Sequence, residues 1–175
     1  SNVPFMGPIA GIRVGMIGLD TSHATAFTKI LHDPKNGYEA RVVAAVAQSS
    51  PDIESSYSRV DGFVKTLTET YGVKMYETIE AMLPDIDVVM VESVDGRPHL
   101  EQAAPGIKAG KPTYIDKPVA ASLEDTLAIY DLAKEHGTPV WSCSNLRYNG
   151  GVVKAATADV GEVSAVLSYG PASLE

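Results

Sequence analysis

An α/β fold built on a doubly wound parallel sheet is predicted by three observations in this chain of 175 residues. Short runs rich in β-branched residues alternate with longer segments of helical periodicity. The runs are nearly continuous in apolar residues, as strands covered on both faces must be. Strand and helix follow one another strictly, the order that right-handed crossovers between parallel strands produce.

The first strand is "IRVGMIG" (12–18), followed by a helix in "SHATAFTKILHD" (22–33) that begins at a Thr/Ser cap. "RVVAAVA" (41–47) is the second strand, and "SRVDGFVKTLTETYG" (58–72) a helix stopped by Gly72. A short strand near 74–75 and a small helix around 78–83 come next. "DVVMVES" (87–93) reads as a strand, and "HLEQAAPGIKAG" (99–110) as a helix that Pro105 bends or interrupts. "PTYID" (112–116) is a strand ending at a charged pair. Ser122 then caps a helix with Asp125 at the capping-box position. Leu123, Leu127, Tyr130 and Ala133 are expected to form the buried stripe of that helix, which Gly137 closes. The last strand, "PVWSCS" (139–144), carries Cys143 as an expected buried thiol. These elements account for residues 1–145. Residues 146–175 read as one helix and one strand, too little for a core, and are expected to begin a second α/β domain that is mostly absent.

The composition, 45% hydrophobic and 21% charged, is enough to bury a core. A net charge of −8 with no basic run argues against a nucleic-acid partner and against a membrane surface. No apolar stretch approaches the roughly 18 residues that a transmembrane helix needs. One cysteine excludes an intramolecular disulfide and supplies no metal motif, so no metal site is expected. The opening "SNVPFMGP" lacks the basic end and apolar core of a signal peptide, which leaves the cytoplasm as the default location.

In a doubly wound sheet, ligands bind at the carboxyl ends of the strands. That rule selects 18–23, 48–50, 93–99, 116–118 and 144–147. In the first of these, "GLDTSH", Gly18 is kept. Asp20 and His23 stand where a G-x-G-x-x-G loop would have two more glycines. A carboxylate at Asp20 either competes with phosphate for the positive end of the helix or serves as a cap. On the first of these readings, Asp20→Gly should tighten cofactor binding. Thr21 and Ser22 offer hydroxyls and amides to an anion, while His23 has three candidate tasks: phosphate contact, substrate contact or packing. Gln48 ends the second strand, where an acidic residue would grip a ribose. Gln48 and Ser49 do not repel a 2′-phosphate, yet no Arg there attracts one, so NAD and NADP remain alternatives.

The stretch "YIDKPVAASLEDTLAIYDLAKEHGTPVWSCSNLRYN" resembles the centre of the Gfo/Idh/MocA family, the glucose–fructose oxidoreductase and inositol dehydrogenase group. Its hallmark is Glu-Lys-Pro at a strand end, preceded by Gly-Lys-Pro. Here Gly110, Lys111, Pro112, Lys117 and Pro118 are kept and Asp116 replaces the Glu. "VDGRPHLEQA" is similar to the family segment that ends in His before a helix, one residue longer, and "NLRYN" matches the crossover into the family's second domain.

The resemblance implies a Rossmann-type domain that binds NAD or NADP, followed by a domain holding most sugar-binding groups. The implied reaction is hydride transfer between nicotinamide and a hydroxyl-bearing carbon of a sugar or cyclitol. Lys117 would be the catalytic ammonium, which stabilises a developing alkoxide and relays a proton. Asp116 would contact Lys117 or the ribose. Ser93 and His99 would line the cofactor site, His99 at the nicotinamide end unless it caps its helix. Asn145 and Arg147 would make contacts at the domain junction. A homo-oligomer is implied for the full-length protein. The family's acid–base His comes from the second domain, so an active site built from this chain alone would be incomplete. Two alternatives stay open: a non-catalytic relative acting as a ligand-binding or interaction domain, and a metal-dependent hydrolase using His23, His99, Asp20 and Asp95.

Overall fold

The computed structural model describes residues 11–167. Six parallel strands form one sheet: β1 (Ile12–Ile17), β2 (Ala40–Val46), β3 (Lys74–Tyr76), β4 (Val88–Val91), β5 (Thr113–Ile115) and β6 (Val140–Trp141). Their spatial order is β3-β2-β1-β4-β5-β6, the doubly wound arrangement read from the sequence. The helices between them are α1 (Ser22–His32), α2 (Glu54–Tyr57), α3 (Val60–Tyr71), α4 (Ile79–Met82), α5 (His99–Lys108) and α6 (Leu123–His136), and α7 (Gly150–Ala156) follows β6 in the chain.

Successive strand residues feed opposite faces. Met16 of β1 packs with Leu19, Ala24, Val42, Leu67 and Val73. Its neighbour Ile17 packs with Val89, Ile107, Ile115 and Ile129 on the other side. Both are fully buried, each worth roughly 1.5–3 kcal/mol relative to exposure. The order reverses where β1 meets both β2 and β4, so the carboxyl ends of these strands surround the crevice.

Several boundaries differ from the sequence reading. The segment around 54–71 divides into α2 and α3 instead of forming one helix from 58. α5 runs on through Pro105 to Lys108. Ser122 caps α6 by accepting the Asp125 amide, as expected, and Ala133 of the expected stripe is buried, but the other three residues of that stripe are not. Ile129 and Ala133 are buried, while Leu123, Leu127 and Tyr130 are 73%, 54% and 40% exposed. The helix carries apolar residues on more than one face, and periodicity alone did not distinguish the face that meets the sheet. The last strand contracts to Val140–Trp141 because it pairs only with Thr113 and Tyr114 of the short β5. Cys143 therefore lies past the strand and is only partly buried.

Two compact units divide between Ser142 and Cys143. The second contains the turn Asn145–Tyr148 and α7, with no strand among its residues up to 167. The strand expected there falls in part on residues outside those described.

Candidate active site

The β1–α1 loop is built on a close approach that only glycine allows. Gly18 has φ +81°, and a Cβ there would lie 2.6 Å from the Ser93 amide nitrogen and closer still to Ser93 Oγ. The end of β1 thus lies directly on the residues that follow β4. Two residues on, Asp20 is fully buried. Its Oδ2 accepts a 2.6 Å hydrogen bond from Ser56 Oγ and its Oδ1 a 3.0 Å bond from the Val94 amide. The cap of α1 is Thr21, whose Oγ1 accepts from the His23 amide at 3.2 Å. Asp20 therefore neither caps the helix nor presents its carboxylate to solvent at the helix start. Ser22 does reach solvent there.

From Ser56 the polar contacts continue outward. The Ser50 amide donates to Ser56 Oγ at 2.8 Å and Ser50 Oγ donates to Asp95 Oδ2 at 2.5 Å. Arg97 forks between Asp95, at 3.0 and 2.8 Å from Nε, and Asp52, at 2.9 and 2.8 Å from its terminal nitrogens. Burial pushes the Asp95 carboxyl up, but hydrogen bonds from Arg97 and Ser50 outweigh it and hold the group down to about 2. A depressed carboxyl stabilises the fold above its unfolded value near 4 and loses that contribution as pH falls towards 2. Asp95→Asn should therefore show a smaller drop in thermal midpoint between pH 6 and pH 3 than the parent protein. An equal drop would mean that Asp95 carries no acid sensitivity.

Gln48, half-buried after β2, accepts from Gln102 Nε2 at 2.9 Å, and the same nitrogen lies 2.9 Å from Ser93 Oγ. The ends of β2 and β4 and the first turns of α5 are thereby joined beside an open cleft of about 870 Å³. Ser49, Ser50 and Arg97 also line it.

A second group of side chains stands at the ends of β4 and β5. Glu92 and Asp116 directly follow the paired residues Val91 and Ile115. His23, in the first turn of α1, sets its Nδ1 2.5 Å from Asp116 Oδ2, and Lys117 Nζ lies 3.7 Å from the same oxygen. Asp116 is buried, whereas the Lys117 side chain is 57% exposed. Glu92 is fully buried, and neither of its carboxylate oxygens has a hydrogen-bond partner. Burial, and then the neighbouring charge of Asp116, push its carboxyl well above the usual glutamate range, with Lys117 opposing.

His99 is also fully buried, its Nε2 2.8 Å from the Ser93 carbonyl and its Nδ1 3.2 Å from the Val119 carbonyl. It braces two loops from inside. Asn145 and Arg147 lie exposed in the turn of the second unit. Of the four metal donors considered from sequence, only His23 joins a potential ligand group among the described residues. Its companions are Glu92 and Asp116. Glu92 was missed, although a glutamate closing the apolar run "DVVMVE" is a legible signal, because such a strand end leaves no water for a charge.

Residues 12–143 match the family described as "Oxidoreductase family, NAD-binding Rossmann fold", GFO_IDH_MocA. The chain belongs to the Gfo/Idh/MocA oxidoreductase family. Among curated family relatives, a 1,5-anhydro-D-fructose reductase from Ensifer adhaerens is 29% identical over 107 residues, which is 60% of this chain and 29% of that protein. The WlbA dehydrogenase from Bordetella pertussis, solved in complex with NADH and UDP-GlcNAcA, superposes with a TM-score of 0.65 at 20% identity. That match covers 83% of this chain and 41% of the other. A myo-inositol 2-dehydrogenase from Lactobacillus plantarum gives 0.64 at 19% identity over 83% of this chain and 40% of its own. These structural matches show a shared fold. The chain spans less than half the length of each of these relatives. Among the described residues no helix is long and apolar enough to cross a membrane.

Proposed function

We propose that this chain is the dinucleotide-binding part of an NAD-dependent oxidoreductase that exchanges hydride with a hydroxyl-bearing carbon of a sugar or cyclitol. The observation that carries the reading is the position of Lys117. Its exposed ammonium stands at the carboxyl end of β5, two strands from the point where the sheet order reverses, in a chain of this oxidoreductase family. The relatives act on, or were solved with, sugar-type molecules: an anhydro-fructose, a UDP-sugar and an inositol.

The residues present fit a dinucleotide. The loop glycine that permits close strand contact is retained at Gly18, and the Asp20 carboxylate is turned inward onto Ser56 and Val94. The start of α1 is left with the Ser22 hydroxyl and the positive end of the helix, which suits a pyrophosphate. Gln48 and Ser49 would take ribose hydroxyls at the mouth of the cleft. That cleft is lined by five carboxylates, Asp52, Glu77, Glu80, Asp95 and Glu101, against one guanidinium, Arg97. Arg97 is already held by Asp95 and Asp52, so a 2′-phosphate would meet net repulsion and NAD is favoured over NADP.

When bound, the nicotinamide supplies the hydride acceptor or donor. Lys117 donates a hydrogen bond to the substrate oxygen and stabilises its alkoxide character as the carbon–hydrogen bond changes hands. Asp116, itself in contact with His23, orients that ammonium. The second domain of a longer protein would complete substrate recognition, and homo-oligomerisation of that protein is part of the same reading. The test is a fluorescence titration of the chain with NADH and with NADPH. NADH should bind with the tighter affinity, by about tenfold. Equal or stronger binding of NADPH would refute the charge argument, and binding of neither would refute the dinucleotide reading.

A further inference from the structure

We infer that His23, Glu92 and Asp116 form a binding site for one divalent cation of the zinc or manganese type. One ligand atom from each lies within 4.8 Å of the others. The three come from different elements: the first turn of α1 and the adjacent strand ends of β4 and β5.

The decisive feature is Glu92. Both of its oxygens are sealed from solvent and accept no hydrogen bond, a costly arrangement unless something else meets them. One of those oxygens belongs to the same close group as the His23 nitrogen and the Asp116 carboxylate. The cost is removed if a cation shares the space.

The donor set points to the kind of cation. One imidazole and two carboxylates suit zinc or manganese, whereas magnesium prefers an all-oxygen shell rich in water. Metal–ligand bonds of about 2.0–2.2 Å bring donor atoms to roughly 3–4 Å from one another. The 2.5 Å contact between His23 and Asp116 opens to that spacing when a cation enters between them, and the His23 side chain, 35% exposed, has room to move. The two carboxylates face one ammonium, Lys117, whose side chain is exposed and 3.7 Å from Asp116 Oδ2. Tyr114, whose hydroxyl lies 3.4 Å from Asp116 Oδ1, steadies the second ligand from the other side. Three protein ligands leave at least one coordination position open, and a substrate oxygen bound there would be polarised beside Lys117.

This inference does not rest on nucleotide binding, and its test contains no nucleotide. Chelator-treated protein is titrated calorimetrically with zinc chloride and, separately, with manganese chloride, and metal content is measured after dialysis. About one equivalent should bind, and His23→Ala or Glu92→Gln should each weaken binding about a hundredfold or more. Metal should raise the thermal midpoint of the parent protein and leave that of Glu92→Gln unchanged. Folding of the variants is checked by near-ultraviolet circular dichroism. Glu92→Gln removes a buried carboxylate without partners, so the metal-free variant should be no less stable than the parent. Failure of the parent protein to retain metal would overturn the site and leave Glu92 as a buried neutral acid. Retention that survives both substitutions would place the metal elsewhere and overturn it equally.

Discussion

Lys117→Ala should lower kcat of the intact enzyme by two to three orders of magnitude while leaving NADH affinity within a few-fold. The expectation follows from the catalytic role proposed for the ammonium at the end of β5. An oxygen that gains negative charge during hydride transfer gains far more from a positioned cation than the neutral hydroxyl does, so the contribution appears in the transition state. A hundredfold to thousandfold loss corresponds to about 3–4 kcal/mol. The ammonium stands 3.7 Å from Asp116 Oδ2, close enough for orientation and exposed enough to meet substrate. Lys117→Arg should not restore the rate, because a planar guanidinium cannot place a point charge in the same position. Steady-state kinetics with separately measured NADH binding decide the matter. A variant that retains a third or more of the parent rate would remove Lys117 from the chemistry.

A second substitution acts through the fold. Asp20→Ala should cost the protein several kcal/mol of stability, about 3–5, and lower its thermal midpoint by roughly 10 °C. The fully buried carboxylate accepts from the buried Ser56 Oγ and from the amide of the partly buried Val94. Without it, two donors lose their acceptor where water does not replace it. Asp20→Gly restores the familiar glycine pattern of a nucleotide loop, yet removes the same acceptor and adds backbone freedom in the unfolded chain. It should therefore lose stability too, and the tighter cofactor binding expected from sequence should not follow. Thermal unfolding of both variants checks this. A midpoint within 2–3 °C of the parent would mean that the two bonds contribute little.

Much of the architecture was legible because strands buried on both faces leave an unmistakable apolar record. "RVVAAVA" and "DVVMVES" could be read as strands without a partner in view, and their strict alternation with helices implied the parallel order. The buried face of α6 was not legible, since Leu123, Leu127 and Tyr130 satisfy helical periodicity as well as Ile129 and Ala133 do. At the strand ends, the rule that ligands gather at the carboxyl side selected 18–23, 48–50, 93–99 and 116–118, which the fold sets after β1, β2, β4 and β5. It did not reveal which way a side chain turns. Asp20 and His99 looked like groups awaiting a ligand, but both are occupied by the protein itself. Glu92 showed the opposite pattern: in sequence it only ended a strand, and in the fold its buried carboxylate has no hydrogen-bond partner.

The two bonds to Asp20 reach residues 36 and 74 positions away along the chain. Contacts of such sequence separation close large loops, and the entropy of closing them must be offset by packing already in place. No local segment of this protein can therefore pre-form the polar centre. It comes into being when β1, α2 and the residues after β4 have already met, so the crevice exists only in a chain whose sheet is assembled. A partly folded molecule would have strands and helices but no place to hold a ligand.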